Sequence, residues 1–467
     1  MAVATFSGIA SGIDTKSLIA AALEAQKQLK ITPKEEEKTT VSEETDAIKE
    51  IKTKVEDFRL SLQQFSTLKG GGLSKKAAST DEATISAEAT NSAANGTYSL
   101  TVNQLATTGT FSFNSRYSSD TALAASGISN AAPAANRTIT FTVGTGTSQK
   151  TVNVVVTNTS TVADIINTFN ATATNAKASV VNVGSAATPS YAITINSTEP
   201  GTENGAIGIT LGSAFTTNLN AYTLTQAKDA QFAISGIAGT ITRSSNKVTD
   251  IITGVALQLE GIGSSTISVG ADSDTTASKL KELVSQYNGI ATYIKENDLI
   301  RIEETGSDVT PVYGALARSN VDDDILSTLR NAISAAQASN GTTVKIFSDI
   351  GITTERDGLL KFNEDTFKQA VAKDPNGLEK LLTSFADTNS ITGGALHQYT
   401  QFQGVFDNAV DTNDTEIRDL NERIANAESL LSRLEQSLTA RYARLEVTIG
   451  KMQGQQSSLM SALGGSK

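Results

Sequence analysis

Apolar and polar positions divide the chain into helical ends and a β-rich middle. From Val41 to Phe65 the apolar residues Ile48, Ile51, Val55, Phe58, Leu62 and Phe65 recur in steps of three and four, with Lys, Glu and Asp between them. That spacing predicts one amphipathic helix with a heptad-like seam. The far end repeats it. Ile417, Leu420, Ile424, Ala427, Leu431, Leu434 and Leu438 keep the three-four alternation. Tyr442 then follows after four residues, and Leu445, Ile449, Met452, Gln456 and Leu459 continue in the shifted frame, a stutter that locally unwinds a left-handed supercoil. Ahead of the first seam, "TPKEEEKTT" joins a Pro to a charge cluster and predicts a break between two helices.

Between these ends, roughly Ala78 to Val269, the period changes to two. "TYSLTVNQLA", "RTITFTVG", "KTVNVVV", "SYAITINS" and "STISVG" alternate apolar with polar residues and are rich in Val, Ile, Thr and Tyr, the signature of strands. "TVADIINTFNATA" interrupts them as a short helix, with Val162, Ile165, Ile166 and Phe169 on one face and Thr161 as N-cap. After Ser273 helical spacing returns in "TASKLKELVSQYNGIATYIKEN" and "SNVDDDILSTLRNAISAA". "DGLLKFNEDTFKQAVAKDPNGLEKLLT" reads as a turn, a short strand and a helix.

The fold class expected is therefore α+β and multidomain: a coiled-coil-like helical stalk built from both chain ends, with β-rich domains inserted. Residues 1–40 form a terminal segment pairing with 430–467, and 41–77 pair with 273–429. Residues 78–106 and 226–272 make an inner β domain, and 107–225 an outer one. The seam is expected to run through Ile48, Ile51, Val55, Phe58, Leu62 and Phe65 on one strand of the stalk. On the other it runs through Ile424, Leu431, Leu434 and Leu438. In particular Leu431, Leu434 and Leu438 are expected against Ile48, Val55 and Leu62. Leu18, Leu23, Met452 and Leu459 are left as terminal contacts to other subunits.

Composition narrows the chemistry. The 467 residues include no Cys, no Trp and one His, with a net charge of −11. Thiol nucleophiles, disulfides and Cys/His zinc sites are excluded. A Ser-His-Asp triad would have to use His397, in "TGGALHQYTQFQG", which has no nucleophile-turn pattern; a surface or packing role fits better. Asp322, Asp323 and Asp324 stand at a predicted helix start, where carboxylates favour the dipole, and read as capping rather than as a metal cluster. No catalytic pair, cofactor site or metal site emerges, and the chain reads as a non-enzyme. No long basic patch suggests nucleic acid. No apolar run reaches the roughly 18 residues of a membrane span. The N-terminal run Leu18 to Leu23 is too short and too late for a cleaved signal.

"SGIASGIDTKSLIAAALEAQK" near the N-terminus is neither a phosphate loop nor a nucleophile elbow. Asp14 or Thr15 reads as the cap of a helix from about Lys16. With three further blocks, Ala227 to Gly261, Asp349 to Leu382 and Glu428 to Leu463, it resembles one family in the family's order: the flagellar filament cap family, hook-associated protein 2. The stretch from about Thr107 to Thr225 is the least covered, and Gly8-Ile9-Ala10-Ser11-Gly12 departs from the commoner Leu-Gly-Ser-Gly opening. The resemblance implies a cap at the filament tip that helps exported flagellin fold and insert, with the β domains as a head plate and the helical ends as legs. It implies export by the flagellar type III apparatus without a cleaved signal, and an extracellular location at the flagellum tip. Its implied partners are other copies in a closed ring, most often of five, flagellin, hook–filament junction proteins and an export chaperone. Two alternatives are an adhesin whose β domains bind host mucin or glycan, and another axial protein. The 5% aromatic content and absent Trp argue against sugar stacking.

Overall fold

The computed structural model describes residues 12, 14–124, 130–215, 219–305, 308–338 and 343–464. The chain divides into two compact units. One joins Met1–Leu68 to Ala277–Lys467; the other is Lys69–Thr276.

The helical unit begins with α1 (Thr15–Lys30), capped by Asp14, whose side chain accepts from the Ser17 backbone N–H at 3.1 Å. The lead-in ahead of it, residues 1–11, lies outside the described residues. α1 ends at Ile31, and α2 (Thr32–Gln63) starts at once with Pro33 in its first turn. The predicted break thus falls at the head of "TPKEEEKTT". Pro33 has no N–H to continue the ladder, and its ring excludes the carbonyl four residues back. The charge cluster behind it is ordinary helix.

The Lys69–Thr276 unit contains two hydrophobic cores. The inner one lies between two antiparallel sheets. The larger has five strands in the order β1 (Lys75–Ser79), β15 (Gly263–Ala271), β3 (Gly96–Gln104), β11 (Ala230–Ile234) and β12 (Ile241–Arg243). The smaller has β13 (Lys247–Ile252), β14 (Val255–Leu259) and β2 (Ile85–Ala89). Alternation along β3 and β15 turns Leu100, Val102, Ile267 and Val269 inward against Phe232 and Leu257.

The outer core is enclosed by two further sheets. One runs β10 (Tyr222–Thr225), β4 (Thr110–Phe113), β8 (Tyr191–Ser197), β7 (Ala176–Asn182). The other runs β6 (Lys150–Val155), β5 (Thr138–Val143), β9 (Ile207–Leu211). Helix α3 (Val162–Thr172) buries Val162, Ile165 and Phe169 here, and α4 (Gly201–Gly205) is a single turn. The predicted cap is a full capping box, with Thr161 and Asp164 satisfying each other's backbone N–H groups. Phe111, Phe141 and Phe169 meet edge to face, with centroids 5.5 and 5.3 Å apart. The chain enters and leaves this core side by side, through the Thr107–Lys228 bridge and two hydrogen bonds in which the Asn246 side chain accepts from the Ala106 N–H and donates to its carbonyl.

The return through the helical unit comprises α5 (Ser273–Asn297), a hairpin of β16 (Ile300–Thr305) and β17 (Asp308–Tyr313), and α6 (Val321–Ala335). A small hairpin of β18 (Ile352–Thr354) and β19 (Leu360–Phe362) follows, then α7 (Glu364–Lys373), α8 (Pro375–Asn389), the single turn α9 (His397–Thr400) and α10 (Val405–Gly464). The strand read from "DGLLKF" is β19, and Asp374 caps α8 by accepting from the Gly377 N–H at 2.8 Å. The hairpin after α5 is an element that the three-four spacing on either side obscured.

Candidate assembly surfaces

The stripe predicted on α2 is the centre of the helical unit. Ile48, Ile51, Val55, Phe58 and Leu62 are each at most 1% exposed, and Phe65 is 2%. Phe58 meets Leu283 and Val284 of α5 and Phe385 of α8 around an apolar void of about 20 Å³. Polar groups at the stripe's margins tie the neighbours down. Lys52 pairs with Asp407 at the start of α10. Arg59 forks onto Glu56 at 2.6 and 2.7 Å and donates to the Ser390 carbonyl at 2.7 Å. That fork holds the Glu56 carboxyl below the usual range. Glu44, drawn towards Asn413 of α10, moves the other way because burial disfavours its charge.

The Lys52–Asp407 and Glu44–Asn413 pairs run α2 and α10 antiparallel. This corrects the expected partners. Carried along that register, Ile48 lies beside the first turns of α10, about six helical turns from Leu431. Leu431 instead shares an open groove with Ala20, Leu23, Lys27 and Ile31, so its neighbour is α1. α2 packs most extensively along the first half of α10, and α5 and α8 close over it at Phe58.

Along α10 the covered positions are Leu420 and Ala427, fully buried, then Ile424, Leu431, Leu434, Leu438 and Tyr442, half-buried. The expected continuation through Leu445 fails. Leu445 is 45% exposed, and Glu446 takes the covered place at 7%. Four-residue steps from Leu438 to Tyr442 carry the stripe on to Glu446, as a helix of 3.6 residues per turn requires. From Gly450 to Ser461 every residue is exposed. Met452 and Leu459 stand at 63% and 64%, with Met460 beside them. On α1, Leu18 is exposed and Leu23 half-buried.

The chemical candidates resolve differently. His397 is half-buried in α9. Asp323 and Asp324 occupy the exposed first turn of α6, but Asp322 is buried, and its Oδ1 has no hydrogen-bond partner. Burial, with Asp298 and Asp323 adding negative charge, pushes it up to about 6. No cluster of three or more metal-ligating side chains occurs among the described residues. Nor is any described helix long and apolar enough to cross a membrane.

Chain ends folded together, β domains inserted between them and a long helix presenting unburied apolar residues define a structural protein of filament assembly. The chain belongs to the flagellar hook-associated protein 2 family, the filament cap proteins. The family model described as Flagellar hook-associated protein 2 N-terminus matches residues 11–109, and that described as the C-terminus matches 227–454. Among its relatives, the A-type flagellar hook-associated protein 2 of Pseudomonas aeruginosa is 27% identical over 97% of this chain and 98% of its own. Flagellar hook-associated protein 2 of Aeromonas caviae is 26% identical over 97% of each. The fold is similar to the D1-D2-D3 domains of the Escherichia coli flagellar cap protein FliD, with a TM-score of 0.58, 19% identity, and coverage of 79% of this chain and 99% of that one.

Proposed function

We propose that the chain caps the growing flagellar filament as a closed ring at its tip, retaining exported flagellin and promoting its folding and insertion. Five copies is the count the resemblance suggests. Flagellin, junction proteins and an export chaperone are the proposed partners, and the location is extracellular after export without a cleaved signal. Residues 107–225 form the outer head and 78–106 with 226–272 the inner head, a division supported by the separate cores.

The observation that carries this reading is the last part of α10. Residues Gly450–Ser461 are all exposed, with Met452, Leu459 and Met460 among them. A single helix of this length is marginal in water. Burying such a side chain stabilises by roughly 1.5–3 kcal/mol, so a partner is needed to hold the segment. Ordering on contact also weakens net affinity, which suits a cap that releases and rebinds as each subunit is inserted. Leu18 and Leu23 on α1 join the same contact. The stalk seam of Ile48, Ile51, Val55, Phe58, Leu62 and Phe65, with Ile424, Leu431, Leu434 and Leu438, holds each leg together.

The test replaces the chain in its own cell with a variant ending at Lys451. Filaments should be lost or short, with flagellin in the medium, while the purified variant keeps the parent's melting temperature. Normal filaments from the truncated chain would refute the terminal contact. Immunogold labelling along the shaft rather than at the tip would refute the cap.

A further inference from the structure

Sulfur occurs at three positions in the chain, Met1, Met452 and Met460, and Cys is absent. Methionine ordinarily fills irregular gaps in protein cores. No described methionine does so here. The buried apolar residues are Ile, Leu, Val, Phe, Tyr and Ala, whereas Met452 and Met460 are 63% and 69% exposed.

Both stand on the last part of α10, separated by about 12 Å along its axis and about 80° around it. Gln456 and Leu459 fall between them, so the four share one stripe. Of the three large apolar side chains that Gly450–Ser461 expose, two are thioethers and the third is Leu459. No residue from Met452 to Ser466 is charged. A contact made by this stretch draws on apolar burial and not on ion pairs. Two of its three large contributors carry an oxidisable sulfur.

We propose that Met452 and Met460 are oxidation sites, at which a peroxide turns the stripe from apolar to polar and releases the contact made by the end of α10. The inference rests on the terminal-contact reading above and adds a chemical off-switch to it. At each site the sulfur lone pair attacks one peroxide oxygen. An S–O bond forms, the O–O bond breaks, and the sulfur gives up two electrons. The departing hydroxide takes the proton left on the transferred oxygen and leaves as water. The sulfoxide oxygen is a strong acceptor, and covering it without a donor is unfavourable. In the free chain the same group stays hydrated, because both side chains are exposed, so oxidation acts on the contact and spares the fold. With no Cys and no Trp in the chain, no thiol or indole competes for the peroxide. Return to the thioether needs sulfoxide reductases, one for each epimer.

The test treats the full-length chain with hydrogen peroxide, removes the peroxide with catalase, and adds the chain to filaments polymerised from purified flagellin. Immunogold counts then give the concentration that half-occupies the tips. Peroxide should raise it at least tenfold, and methionine sulfoxide reductases A and B with dithiothreitol should restore it. For Met452→Leu combined with Met460→Leu, the half-occupying concentration should be the same before and after peroxide, whatever its starting value. Peptide mass spectrometry confirms the two sulfoxides and supplies a second readout that needs no variant. In chains already seated on tips, both sulfurs should react at least tenfold more slowly than in the free chain. Sulfurs protected on the tip, with undiminished occupancy by the doubly oxidised chain, overturn the oxidation sites and leave the terminal contact standing. So does a loss of occupancy that the reductases fail to reverse, or one that the leucine variant shares. Sulfurs that react equally fast seated and free remove the terminal contact and the inference with it.

Discussion

Ile51→Ala in α2 and Leu434→Ala in α10 delete apolar atoms from two positions on the same predicted seam, yet the structure assigns them different costs. Ile51 is 1% exposed at the centre of the helical unit. Truncating a side chain so enclosed costs about 3–4 kcal/mol, combining lost transfer energy with a cavity that its packed neighbours cannot collapse. Leu434 is half-buried. Water reaches the site it vacates, so no closed cavity forms, and about 1–1.5 kcal/mol is expected. In a unit of this size each kcal/mol moves the midpoint by roughly 2–4 °C. Ile51→Ala should therefore lower the helical transition by about 6–16 °C and Leu434→Ala by about 2–6 °C. Circular dichroism at 222 nm, with calorimetry to separate the transitions, reads both, and the β unit's transition should stay fixed as an internal control. Equal shifts, a larger shift for Leu434→Ala, or a loss below about 1 kcal/mol for Ile51→Ala would refute the assignment of α2 as the central helix. Leu434→Asp is the sharper form of the contrast. Its carboxylate keeps part of its hydration, so it should destabilise less than Ile51→Asp, where the charge is buried unpaired.

Asp322 holds its proton up to about pH 6 in the folded chain but only to about pH 4 when unfolded. The helical unit should then lose stability as pH rises from 4 to 7, by on the order of 2 kcal/mol from this group, and Asp322→Asn should abolish that loss in urea titrations; an unchanged pH profile refutes it. Val284→Ile adds a methylene beside the 20 Å³ void at Phe58 and should raise stability by about 0.5–1 kcal/mol in urea unfolding, whereas a decrease would mean the void cannot accept it. Gly201 has φ +81°, and a Cβ there would stand 2.1 Å from the Ser244 carbonyl oxygen. Gly201→Ala should cost at least about 2 kcal/mol in the β unit and leave the helical transition alone, as two resolved calorimetric transitions would report.

Which features were legible in the sequence follows from what each pattern encodes. The three-four spacing of Ile48 to Phe65 encodes a face, and all six residues are buried. The caps at Asp14 and Thr161 need only local chemistry, and both form. A face does not name its cover, so Leu431 could be placed on a stripe but not against α1 rather than α2. Periodicity also says nothing about charge inside a stripe. Glu446 and Asp322 look like solvated acids by residue type, and both are buried. The hairpin of β16 and β17 escaped because helices flank it on both sides. The cross-strand hydroxyl pairs of β3 and β15 were hidden differently. Alternation in "TYSLTVN" and "STISVG" marks which residues face the core, and the remaining positions read as ordinary polar surface. Only the register sets Ser99 beside Thr266 and Thr101 beside Ser264. Which side chains stand beside one another is written in strand and helix register, and periodicity alone does not fix that register.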